Sequence, residues 1–134
     1  MPPDAETVVL QWLRTRPNLS AVRFGTTRPA DLSRHLPFVA ISRIGGGGAA
    51  PSWRGGLLVD RAGLTLTGWA KPHRADARGL VRTVVYELST TRGVIAKAGV
   101  LVRVMVLAGP MPLPDRNAPE GIHRFVATVQ AIVR

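Results

Sequence analysis

Pro37-Phe38-Val39-Ala40-Ile41-Ser42-Arg43-Ile44 is apolar on both alternations for most of its length, and its reading decides the fold. A strand with one wet face alternates apolar and polar residues, so this run fits an interior strand covered on both faces. Proline opens it at no cost, because the first position of a strand need not donate to the ladder. Residues 100–107 have the same character, interrupted by Arg103. Residues 123–133 set Phe125, Ala127, Val129, Ala131 and Val133 against a more polar alternate set, which predicts another strand. Residues 57–60 and 64–69 are two further apolar-rich pieces around Arg61-Ala62-Gly63, either one bulged strand or a hairpin.

Helical periodicity frames these strands. Asp4 stands where an N-cap belongs, ahead of Ala5, Val8, Val9, Trp12 and Leu13 on one helical face, and Pro17-Asn18 closes that segment. Residues 21–24 then read as a short strand and 26–36 as a loop. After Pro72, the residues Ala77, Leu80, Val81, Val84, Val85 and Leu88 make one apolar stripe, with Gly93 as the stop signal. The sum is an α+β fold, a mixed four- to five-stranded sheet with two helices packed on one face. A chain of 134 residues suits a single domain over 1–134 that buries roughly two-thirds of its unfolded surface. Two helices cover only one face of such a sheet, so the apolar surplus of 38–44 and 100–107 points to self-association.

Composition narrows the function classes. Without cysteine there is no disulfide, no thiolate zinc site and no thiol nucleophile. No stretch approaches the ~20 apolar residues that span a bilayer, and Met1-Pro2-Pro3-Asp4 does not open a leader, so a soluble, unprocessed protein is expected. The formal charge is +10, from 18 basic and 8 acidic residues, with Lys71 and Lys97 the only lysines. Guanidinium forks suit interfaces as well as nucleic acid. Because the arginines are scattered without a block, dispersed surface and interface roles are favoured over a dedicated DNA-reading patch.

Tests for chemistry return mostly absences. Gly45-Gly46-Gly47-Gly48 follows a strand but lacks the lysine and hydroxyl of a phosphate loop, so residues 45–56 read as a flexible loop. Its Trp53 and Arg54 are of the types that anchor interfaces. His35, His73 and His123 are far apart and have no metal-site spacing, and no carboxylate pair or nucleophile elbow stands out. No catalytic residue, cofactor or metal is assigned. Arg74, Arg78 and Arg82 recur every four residues and form a basic stripe on the polar side of the second helix, with Asp76 and Glu87 at its flanks. The proline-rich connection 109–115 adds Met111 and Leu113 to the candidate interface.

The order of these pieces resembles the tail terminator (tail completion) proteins of long non-contractile-tailed bacteriophages. The resemblance rests on Leu36-Pro37-Phe38-Val39-Ala40-Ile41-Ser42-Arg43-Ile44-Gly45-Gly46, on Asp60 heading a strand that ends in Gly68-Trp69-Ala70, and on the helix around Ala75, Ala77 and Leu80. Gly109-Pro110, Leu113-Pro114-Asp115 and the closing Gly121-Ile122-His123-Arg124-Phe125-Val126-Ala127-Thr128-Val129 complete it. It implies a non-enzymatic virion protein, assembled in the host cytoplasm and built in as a homohexameric ring at the head-proximal end of the tail. Such a ring ends polymerisation of the major tail tube protein and docks the head–tail connector or neck protein, while DNA passes through without sequence-specific binding. Other neck or head-completion ring proteins, and a small basic nucleic-acid-binding domain, are the alternatives.

Overall fold

The computed structural model describes residues 4–51, 57–114, 116 and 119–134, with the backbone alone for 45–51 and 57–59. Helix α1 is Ala5–Arg14. It starts where the Asp4 carboxylate accepts hydrogen bonds from the Thr7 amide at 3.3 Å and the Thr7 hydroxyl at 2.7 Å. Helix α2 is Arg74–Ser89, and at its start the His73 amide donates to the Asp76 carboxylate at 3.0 Å. It stops at Thr90, ahead of the predicted stop, because Gly93 (φ +61°) belongs to a strand that sequence periodicity does not reveal.

That strand is β4, Arg92–Ala96, one of six. The others are β1 (Arg23–Gly25), β2 (Phe38–Pro51), β3 (Leu57–Ala70), β5 (Gly99–Pro112) and β6 (His123–Val133). They lie in the order β1-β2-β3-β6-β5-β4, with β1 parallel to β2 and every other pair antiparallel. The sheet is therefore mixed, as expected, but has six strands and not four or five. β4 accounts for the difference: β1 falls where residues 21–24 read as a short strand, whereas β4 is too brief to show a period-2 pattern.

Three long elements decide or correct the sequence reading. Residues 57–70 form one strand and not a hairpin, because β6 runs beside them without a break from Asp60 opposite Val133 to Ala70 opposite His123. Residues 45–51 are not a loop: they continue β2 and pair with β3 as far as Pro51 opposite Leu57, with register shifts at Gly45 and Gly48. Pairing to a long apolar partner outweighs the low intrinsic strand propensity of glycine. Residues 109–112, read as a connection, are the last turn-free part of β5 and reach Pro112 opposite Phe125.

Both helices pack on the same face. Val8, Val9 and Leu13 of α1 and Val84 and Leu88 of α2 join Val39, Ile41, Leu64, Leu66, Val129 and Ala131 in one core. Toward the start of α2, Ala77 and Val81 meet Ala70, Phe125 and Ala127. Gly68 is required there, since a Cβ would lie 2.6 Å from Val81 Cγ2, a stiff and fully buried side chain. On the opposite face the chain supplies its own cover. Leu32 and Leu36, from the loop preceding β2, pack with Phe38, Ala40 and Trp69, the two rings lying 6.0 Å apart. Beyond that cluster the second face carries half-buried Ser42, Thr65, Thr67, Thr128 and Gln130. The surplus attributed to 38–44 is thus covered within the chain from Phe38 to Ile41, while Ile44 is 61 % exposed and the outer half of β5 is left uncovered.

Candidate interaction surface

β4 pairs with β5 only from Gly99 to Arg103. Among the described residues, β5 beyond Arg103 has β6 on one side and no strand on the other. Along and just past this open edge Met105 is 37 % exposed, Val106 43 %, Leu107 57 %, Met111 47 % and Leu113 44 %. A row of large apolar side chains on an unpaired edge is a feature that monomeric proteins avoid or cover. Met111 and Leu113, selected from sequence, belong to it. Met105, Val106 and Leu107 belong to the run 100–107 whose apolar surplus points to self-association, though they were not singled out as interface residues; the prolines at 110 and 112, which suit an edge strand, are the signal that could have done so.

The far end of this edge is pinned in place. Arg124 donates from Nε to the Leu113 carbonyl at 2.7 Å and from Nη2 to the Pro114 carbonyl at 2.9 Å, and the Leu113 amide donates to the Arg124 carbonyl at 3.0 Å. Gly109, at φ +92°, allows the strand to bulge against β6: a Cβ there would lie 2.6 Å from the Val126 carbonyl oxygen.

The same corner receives the start of α2. Two adjoining cavities of about 370 and 430 Å³ share Arg74, Pro112 and Phe125 in their walls. The Arg74 guanidinium sits 5.6 Å over the buried Phe125 ring, and Arg78 lines the second cavity with Pro110. The structure thus gathers Arg74 and Arg78 with the proline-rich end of β5. Arg82 stands apart, in a shallow depression with Asn18, Tyr86 and Glu87. Glu87 does not flank the stripe as an exposed counter-charge: it is 6 % exposed, accepts from Arg16 Nε at 3.2 Å and Asn18 Nδ2 at 2.8 Å, and ties the end of α1 to α2. Trp53 and Arg54 lie outside the described residues.

At the other edge, Arg43 forms a two-pronged pair with Asp60, one arm at 2.9 Å. That hydrogen bond holds the Arg43 guanidinium above its ordinary pKa. The Arg43 amide donates to Glu6 of α1 at 2.7 Å. His35 bridges Arg23 and Asp31 at 2.9 and 3.0 Å, while His123 lines the first cavity. Among the described residues no three His, Asp or Glu side chains gather as metal ligands, and no helix is long and apolar enough to cross a membrane.

No protein-family model and no curated protein matches this chain.

Proposed function

We propose that the chain is a structural ring protein of a phage tail, a tail terminator that caps the head-proximal end of the tail tube. The observation that carries this reading is the exposed apolar edge of β5 from Met105 to Leu113, which a soluble monomer has no reason to keep. The sequence resemblance supplies the symmetry. In a closed ring each copy presents two different surfaces to its neighbours, so one edge that seeks a partner and another shaped otherwise suit a head-to-tail contact. The ring would number six copies, meet the major tail tube protein on one side and the head–tail connector or neck protein on the other, and act by geometry alone.

The test is made on virions. Labelling this chain should mark the head-proximal end of the tail, and deleting its gene should give tails of aberrant length that fail to join heads. Normal, joined tails without it would end the assignment. The second reading, a small nucleic-acid-binding domain, draws on the exposed Arg74, Arg78 and Arg82 and the +10 charge. It requires DNA affinity that falls steeply with salt, whereas an apolar ring contact resists salt.

A further inference from the structure

We infer that the trough between the start of α2 and the end of β5 is a docking site for a carboxylate-bearing, otherwise apolar peptide segment of a partner protein. The site does not depend on the ring reading, because one copy carries the whole trough. Its walls are unusually stiff for a surface depression. Pro110 and Pro112 have fixed φ and no amide to solvate, and Arg124 locks the carbonyls of Leu113 and Pro114. Little conformational freedom remains to be lost when a ligand enters. The lining is apolar below, through Ile122, Phe125 and the prolines, and cationic above, through Arg74 and Arg78.

Among the described residues no carboxylate lines either cavity. Asp76, the nearest acid on α2, accepts from the His73 amide and faces a different depression, beside Leu36 and Pro37. Among the described residues neither Arg74 nor Arg78 has an ion-pair partner. Four residues apart on one helix, their side chains are neighbours and can grip two carboxylates of one segment.

Nucleic acid fits less well. Single strands are held by bases stacked on exposed aromatic faces, yet Phe125 is 3 % exposed and its ring already lies beneath Arg74. A phosphodiester also has nothing apolar to place among the prolines. A peptide alternating acidic and aliphatic residues satisfies both halves of the site.

The experiment is an amide-resonance titration of the whole protein with acetyl-Glu-Leu-Glu-Leu-Glu-Leu-amide. The parallel arms are the Gln-for-Glu peptide and a short single-stranded oligonucleotide. Saturable shifts should concentrate at Arg74, Arg78, Met111, Leu113 and residues 122–125. The Gln peptide should bind far more weakly. Arg74→Ala and Arg78→Ala, both exposed, should each weaken binding about tenfold, the equivalent of one charge-assisted hydrogen bond, while Arg82→Ala should leave it within a factor of two. Shifts scattered over the basic surface, equal binding of the Gln peptide, equal losses for Arg82→Ala, or tighter binding of the oligonucleotide at the same residues would each overturn the inference.

Discussion

The two edges of the sheet are built to opposite specifications. On the β2 side the edge is occupied or guarded as far as Arg43: β1 pairs with Phe38, Val39 and Ala40, and just beyond it Glu6 takes the Arg43 amide while Asp60 takes its side chain; from Ile44, which is 61 % exposed, no described strand lies outside β2. On the β5 side β4 covers the beginning of the strand, and the outer half is bare backbone edged with methionine, valine and leucine. Backbone amides at a sheet edge recruit another strand unless something is done about them. Here one stretch of edge has been answered with a carboxylate from its own helix and the other left with exposed methionine, valine and leucine, a difference that supports β5 as the proposed partner surface.

The sharpest way to break this comparison is Gly109→Ala. If the outer half of β5 is held against β6 as described, the new methyl meets the Val126 carbonyl at a φ alanine resists, and unfolding free energy should fall by about 2–4 kcal/mol in a denaturant titration. A loss below about 0.5 kcal/mol would mean that this half frays, and that openness there reflects weak structure. On the guarded edge, Asp60→Ala strips Arg43 of its buried partner and should cost about 1–3 kcal/mol by the same measurement. An unchanged midpoint would mean that the pair guards nothing. The smallest effect on folding belongs to Leu107→Lys: stability should stay within about 0.5 kcal/mol, since the side chain is mostly in water already. Sedimentation should nonetheless show less self-association at high concentration. If association is undiminished, the open edge is not where copies meet.

The helices and the central strands were legible because their signals are local and repetitive. Asp4 before Ala5, the stripe from Ala77 to Leu88 and the alternation from Phe125 to Val133 each reflect one periodic burial pattern. The rest depended on pairing. Nothing in four glycines announces a strand, and only the length of β3 opposite them makes one. Arg74, Arg78 and the prolines of 109–115 were visible as residue types, but the meeting of the two arginines with Pro110 and Pro112 at one corner depends on β5 running on to Pro112 and passing the start of α2. Glu87 shows the converse: on a helical wheel it belongs with the polar residues, and only Arg16 and Asn18, some seventy positions away, make its burial tolerable.

The outer strands β1 and β4 have one more effect, on outline. Cross-sheet register places Val39, Gly68, Phe125 and Pro112 in one row, and Ala49, Asp60, Val133 and Leu101 in another. β1 lies at the first row and β4 at the second, on opposite sides. Each edge therefore has a step, and the two steps face opposite ways, like the halves of a half-lap joint. When copies are set side by side in the same sense, β4 of one falls into the recess beside β2 of the next, and β1 of that neighbour falls into the recess beside β5. A two-fold axis lying in the sheet and parallel to the strands would instead set step against step, whereas one normal to the sheet would drop each β4 into the recess of its mate. The outline thus fixes which rows must meet at a contact between copies, before any side chain is considered.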